Sequence, residues 1–194
     1  MAEPTLVFLH GMGTGPEAWQ PQVEAFSSSR RVLTPRLPLD ADFQIGAEAA
    51  RIWHIADSTP TDVCGLSLGA LVALRAALDE PQRVRRLVLC AGFSALPRSL
   101  RALQVVLGAA SRAAPRAIFH EGRRFDVTRE LDRLTMPALV LVGERDRPNR
   151  RLSRALAEGL PDARFRLIES AGHVANVDAP EAFNEAVRSF LDAT

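Results

Sequence analysis

Apolar and polar positions along the chain follow two different periods. Short apolar, β-branched-rich runs occur at Thr5–His10, Arg31–Pro35, Asp62–Gly65, Leu87–Ala91, Ala138–Gly143 and Arg164–Ile168. Each predicts a strand. Several, such as Leu139-Val140-Leu141-Val142, are continuously apolar rather than alternating. That pattern suits a parallel sheet covered on both faces. Between these runs, helical spacing predicts helices near Pro16–Ser27, Phe43–Ala56, Leu68–Leu78, Arg151–Leu160 and Pro180–Leu191. The last carries a start signal, Asp178 ahead of Pro180-Glu181, and sets Phe183, Val187, Phe190 and Leu191 at helical spacing. Repeated strand–helix alternation predicts an α/β fold built on a mostly parallel sheet flanked by helices.

One interval breaks the rhythm. Between Gly92 and Pro137 no strand is evident, and Leu96–Ile118 reads as one or two helices rich in Ala, Leu and Arg. The 194 residues suit one domain, 1–194, with residues 93–136 forming a helical lid inserted after the fourth strand. As far as Phe125 the lid carries Arg98, Arg101, Arg112, Arg116, Arg123 and Arg124 against Glu121. This is either a solvated helix face or a preference for acidic substrates.

Composition narrows the function classes. With 47% hydrophobic and 24% charged residues the chain is ordinary globular material. A net charge of +1 argues against a nucleic-acid partner. The chain contains no Lys and no Tyr. No apolar run reaches membrane-spanning length and no leader pattern is visible, so a cytoplasmic protein without a membrane association is expected. Two cysteines, Cys64 and Cys90, are too few for a disulfide scaffold. They are expected to be buried free thiols, since bridging neighbouring parallel strands demands poor geometry.

Gly65-Leu66-Ser67-Leu68-Gly69 lies between a short strand and a helix. This is the G-x-S-x-G nucleophile elbow in its required context, with Ser67 exposed on a strained turn. A Cβ at position 65 or 69 would crowd neighbouring backbone. The first strand runs into His10-Gly11-Met12-Gly13-Thr14-Gly15. A serine nucleophile needs two donors for a developing oxyanion, and the candidates are the backbone N–H groups of Met12 and Leu68. The same loop is no phosphate cradle, because its spacing is wrong and no Lys exists to complete one. Asp146 and His173 fall just past the ends of the fifth and sixth predicted strands, where open α/β sheets carry their chemistry. Glu144 and Asp162 are local rivals to Asp146.

In these segments the chain resembles the α/β-hydrolase fold family, in particular its small serine esterases and lactonases with a reduced cap. The matching segments are His10-Gly11-Met12-Gly13, Gly65-Leu66-Ser67-Leu68-Gly69, Gly143-Glu144-Arg145-Asp146, and Gly172-His173 followed by Asp178-Ala179-Pro180-Glu181-Ala182-Phe183. They span residues 5–190. The resemblance implies that Ser67 attacks an acyl carbon, His173 moves the proton and Asp146 orients the imidazole, with Met12 and Leu68 holding the oxyanion. Gly11, Phe93 and Val174 are expected to touch the substrate. His10 is expected to orient the oxyanion loop through hydrogen bonds. No cofactor and no metal are expected. Family members usually begin with two further antiparallel strands, so a sheet of about six strands is expected here.

The expected activity is hydrolysis of a small carboxylic ester, lactone or thioester, the partner being that small molecule. A short lid favours compact esters and predicts no interfacial activation. Ser67 excludes the dehalogenases and epoxide hydrolases that use an Asp nucleophile, and the missing Lys excludes hydroxynitrile lyases of this fold. Carbon–carbon bond hydrolases and cofactor-free perhydrolases keep the same three residues and stay open. So does a ligand sensor with little turnover.

Overall fold

The computed structural model describes residues 4–56, 60–101 and 115–193. Six strands form one all-parallel sheet: β1 (Leu6–Leu9), β2 (Val32–Leu33), β3 (Thr61–Leu66), β4 (Val84–Cys90), β5 (Ala138–Gly143) and β6 (Ala163–Ile168). Their order is β2-β1-β3-β4-β5-β6. The chain therefore steps outward from β1 to β2 and then returns across β1 to start β3. The loops after β1 and β3 diverge at this switch point and leave a crevice at the carboxyl ends of the strands. Leu9 is in register with Gly65, and Leu66 with Cys90, so the β1 loop, the β3 loop and the end of β4 meet at one level.

The helices are α1 (Gln20–Phe26), α2 (Ile45–Ile55), α3 (Leu68–Asp79), α4 (Arg116–Arg124), α5 (Arg147–Gly159), α6 (Ala175–Asp178) and α7 (Pro180–Leu191). Alternate strand residues feed two buried clusters. Val7, Leu9, Val63, Leu87, Leu89 and Val140 pack with α2, α3 and Leu156 of α5. Leu6, Phe8, Cys64, Leu66, Val88 and Leu141 pack with Trp19, Phe26 and the apolar stripe of α7. Covering both faces explains why the central strands are continuously apolar. Helix α3 is apolar almost all round and almost wholly buried, as a helix against the centre of a sheet must be. At the edge, β6 alternates, with Arg164 and Arg166 exposed.

Several boundaries differ from expectation for identifiable reasons. The expected helix Pro16–Ser27 is a 3-10 turn (Pro16–Trp19) followed by α1, with Pro21 in the first turn of α1. Pro21 has no N–H to continue the earlier ladder. Helix α5 begins at Arg147 rather than Arg151, with Pro148 in its first turn, where the missing N–H costs nothing. Asp178 does not cap α7: the cap position is Ala179 and makes no side-chain bond. The expected helices over Leu96–Ile118 fall largely outside the described residues. What is described there includes α4 and a 3-10 turn, Thr128–Arg133. The single acid of α4 is not matched to its arginines: Glu121 accepts the Ile45 N–H at 3.0 Å and so closes the start of α2. Arg101 pairs with Asp126 at 3.1 Å, and Arg112 lies outside the described residues. Cys64 and Cys90 are free and buried, and burial pushes both thiols well up. Among the described residues no helix is long and apolar enough to cross a membrane.

At the end of the sheet opposite Ser67, Asp62 of β3 is fully buried. Arg85 grips it with two bonds, Nε to Oδ1 at 2.8 Å and Nη2 to Oδ2 at 2.5 Å. Arg30 adds Nη1 to Oδ2 at 3.1 Å and also reaches Asp192, just past α7, at 2.6 Å. This cluster clamps β3, β4 and both flanking helical ends. Removing its acid takes from Arg85 its carboxylate contact and leaves Arg30 with Asp192. Asp62→Ala is expected to cost about 3 kcal/mol in urea unfolding, the low end for a broken buried pair because Arg85 keeps some solvent. A loss below about 1 kcal/mol, the level of an exposed pair, would contradict this account.

Candidate active site

Ser67 joins β3 to α3 with φ 53° and ψ −114°. A left-handed φ of this kind costs a non-glycine residue about 1–3 kcal/mol and persists only when its surroundings impose it. They do so here. The Ser67 N–H donates to the Cys90 carbonyl at 2.8 Å, while its own carbonyl accepts from Ala70 at 2.9 Å and Leu71 at 3.2 Å. A Cβ on Gly65 would lie 2.2 Å from the Gly69 oxygen, and one on Gly69 would lie 2.1 Å from the Leu9 oxygen. Only glycine lets the helix turn back this closely over β1 and β3.

The structure brings together all three side chains expected from the sequence. Ser67 Oγ lies 3.0 Å from His173 Nε2. His173 Nδ1 lies 2.7 Å from Asp146 Oδ2. A carboxylate only accepts, so the imidazole proton sits on Nδ1 and Nε2 is left to accept from the serine hydroxyl. Asp146 is 6% exposed. Burial alone pushes its carboxyl up, but hydrogen bonds from His173 and Asn149, with the imidazole charge, outweigh this and hold it below the usual range. The two rival acids lie elsewhere: Glu144 accepts the Ser170 N–H at 3.0 Å, and Asp162 is exposed before β6.

His10 fixes the loop opposite. Its Nε2 accepts the Leu37 N–H at 3.0 Å, so the proton is on Nδ1, which donates to the Gly11 carbonyl at 3.0 Å. Burial pushes the His10 pKa down and so favours this neutral form. The Gly11 carbonyl also accepts from Thr14 Oγ1 at 3.0 Å. With that carbonyl tied back, the next N–H is Met12. Neither the Met12 nor the Leu68 N–H meets an acceptor among the described residues. Leu68 also opens α3, at the positive end of the helix dipole.

A cavity of about 80 Å³ opens beside Ser67. Met12, Leu68 and Phe93 line it, joined by Leu71 of α3 and by Ile118 and Phe119 of α4. Of the three expected substrate contacts, only Phe93 is part of this lining. A Cβ on Gly11 would face Leu66 and Ser67 at 3.3 Å, so Gly11 abuts the elbow. Val174 packs against the buried cluster under α7. Leu71 lies one helical turn beyond Ser67 and could have been found from spacing alone. Ile118 and Phe119 could not, because nothing local sets the distance from the lid to the elbow.

Two further supports were not expected. Asp178 Oδ2 accepts the Gly172 N–H at 2.7 Å, which fixes the residue before His173. Fully buried Gln22 and Asn176 tie the segment that follows the β1 loop to the histidine side. Asn176 Nδ2 donates to the Ala18 carbonyl at 2.7 Å and Gln22 Nε2 to the Asn176 carbonyl at 3.1 Å. No group of three or more His, Cys, Asp or Glu side chains suited to a metal occurs among the described residues.

Comparison with known proteins agrees with this fold. The model of an alpha/beta hydrolase family matches residues 6–186. "Putative carbamate hydrolase RutD" of Stutzerimonas stutzeri is 28% identical, over 97% of this chain and 91% of that protein. A pimeloyl-[acyl-carrier protein] methyl ester esterase of Aromatoleum aromaticum is 41% identical over a shorter stretch, 46% of this chain and 37% of its own length. The crystal structure of a hydrolase from Pseudomonas aeruginosa PA01 superposes with a TM-score of 0.85 at 23% identity, covering 98% of this chain and 91% of that one.

The low pKa of Asp146 has a consequence for stability. Folding lowers it, so the ionised carboxylate contributes stability above the ordinary Asp value of about 3.9. That contribution is lost as pH falls through the lowered folded value. The unfolding free energy of the unaltered protein should therefore fall more steeply over this interval than that of Asp146→Asn. A pH-independent difference between the two in urea titrations would contradict the assignment.

Proposed function

The chain belongs to the alpha/beta hydrolase family, and on that premise we propose that it hydrolyses a small carboxylic ester through an acyl-enzyme on Ser67. The observation that carries this reading is the unbroken path from Ser67 Oγ to His173 at 3.0 Å and from His173 to Asp146 at 2.7 Å. Ser67 Oγ adds to the ester carbon while His173 Nε2 takes its proton. The carbonyl oxygen becomes an oxyanion facing the Met12 and Leu68 N–H groups. Collapse breaks the acyl–alcohol bond, and His173 returns the proton to the departing alcohol. Water, deprotonated by the same nitrogen, then attacks the acyl carbon and frees Ser67. Asp146 stays ionised throughout and stabilises the imidazolium.

The cavity narrows the substrate. Among its described lining only Ser67 carries a polar side chain, so a charged acyl group would lose its hydration without replacement. A volume of about 80 Å³ holds only a few carbon atoms. We therefore assign it to a short, uncharged acyl group, with residues 93–136 acting as the lid that supplies Ile118 and Phe119. The ester-cleaving relative and the relative named for carbamate both fit a nucleophile aimed at a carbonyl carbon.

Ser67→Ala should abolish fluorophosphonate labelling and reduce turnover of p-nitrophenyl acetate by at least about 10³-fold. Retained turnover in that variant would refute the mechanism. Across a series of p-nitrophenyl esters, kcat/KM should be highest for acyl chains of about two to four carbons. Phe119→Ala, which deepens the cavity, should move that optimum to longer chains. An optimum unmoved by Phe119→Ala would place the acyl group elsewhere.

A further inference from the structure

Asn149 stands three residues into the turn that follows Asp146, in the first turn of α5. Its Nδ2 lies 2.9 Å from Asp146 Oδ1 and 2.9 Å from Oδ2. The same nitrogen lies 3.2 Å from His173 Nδ1. Both of these nitrogens carry protons, so the contact with the ring is close packing and not a hydrogen bond. The carboxylate also fixes which way the amide points: turned over, its oxygen would face two carboxylate oxygens at hydrogen-bond distance. Asn149 is half-buried and closes the carboxylate on the side next to the ring.

We propose that Asn149 is the positioning residue of this site, holding the Asp146 carboxylate square to the His173 ring. The inference rests on the reading of Ser67, His173 and Asp146 as one catalytic unit. Oδ2 must accept from His173 Nδ1 at 2.7 Å, and rotation about the last torsion of Asp146 would break that bond. The Asn149 backbone N–H also favours the charged carboxylate, and a side-chain donor that touches both oxygens limits the rotation further. It also withdraws electron density from the oxygen that faces the imidazole. A neutral amide does this without competing as a cation for the carboxylate charge.

The other groups around the pair do not supply this bond. From the end of β4, Cys90 is held as a neutral thiol by burial and by the Asp146 charge. From the elbow, Ser67 faces the opposite ring nitrogen. In the shared loop, Glu144 holds the Ser170 N–H, while Arg145 and Arg147 are exposed and form no ion pair with Asp146 among the described residues.

Asn149→Leu keeps the branched shape and removes the donor. Its expected signature is a kcat for p-nitrophenyl acetate about tenfold lower, or about 1.4 kcal/mol of barrier, with KM unchanged. The acid limb of its kcat/KM profile should move to higher pH, because an uncompensated Asp146 attracts the imidazolium more strongly. Asn149→Gln, which keeps a carboxamide, should recover part of both effects. The downfield NMR resonance of the His173 Nδ1 proton, which reports its bond to Asp146, should shift in Asn149→Leu whether or not any ester is cleaved. That readout separates this inference from the proposed activity: an inactive protein with a shifted resonance overturns the ester reading alone. An unshifted resonance and unchanged kcat in Asn149→Leu, or equal losses in the Leu and Gln variants, would overturn the role given to Asn149. If Asn149→Leu does not fold, Asn149→Ala is read by the same criteria.

Discussion

The backbone at Ser67 is the constraint on which the rest of the site depends. A strand can hand over to a helix within one residue only if that residue leaves the ordinary regions of φ/ψ space, and Ser67 does so at φ 53°. The turn points the side chain out of the sheet and starts α3 directly above the ends of β1 and β3. The close passage of Gly69 over Leu9 then puts the first N–H of α3 beside the loop that follows β1. Sheet order matters as much as the turn. Because β1 lies next to β3, the two N–H groups proposed for the oxyanion come from neighbouring strands. A different order would separate them by at least one strand width of about 4.8 Å.

The chemistry-bearing residues were legible in the sequence because each sits in a loop just past a strand, and in a parallel sheet all such loops share one end. Finding the strands was therefore enough to bring Ser67, Asp146 and His173 to the same side, although they are far apart along the chain. The strand boundaries were also close, since runs buried on both faces stand out from their flanks. What could not be read depends on distances that no local pattern sets. Phe119 and Ile118 reach the cavity from α4, whose place beside the elbow no local pattern sets. Asp178 looked like a helix cap because its spacing from Pro180 suits one. In the fold its carboxylate faces backward, to Gly172.

Asn149 is an instructive intermediate case. A start for α5 at Arg151 leaves Asn149 in a loop with no partner. With the start at Arg147, Asp146 is the cap residue and Asn149 the third residue of the helix. A cap and a third residue face each other in many helices, with the third side chain reaching back toward the cap. Pro148 was the signal for that earlier start, because proline is favoured in the first turn of a helix. The error in the boundary and the missed residue thus have one cause.

Two of the buried carboxylates among the described residues, Asp62 and Asp146, have partners that differ in charge. Asp62 is held by two guanidinium groups and ties secondary structure together at the end of the sheet away from Ser67. Nothing there has to change its charge. Asp146 meets an imidazole and a neutral amide, and among the described residues no guanidinium pairs with it, in a chain with 24 Lys plus Arg positions, all of them Arg. A guanidinium at Asp146 would satisfy the same lone pairs, but it would also neutralise the charge that a protonated His173 needs. An amide fills the lone pairs and leaves the charge in place. On the mechanism proposed for Ser67, Asp62 as a structural acid and Asp146 as a catalytic one differ in whether their fixed hydrogen-bond donors are themselves charged.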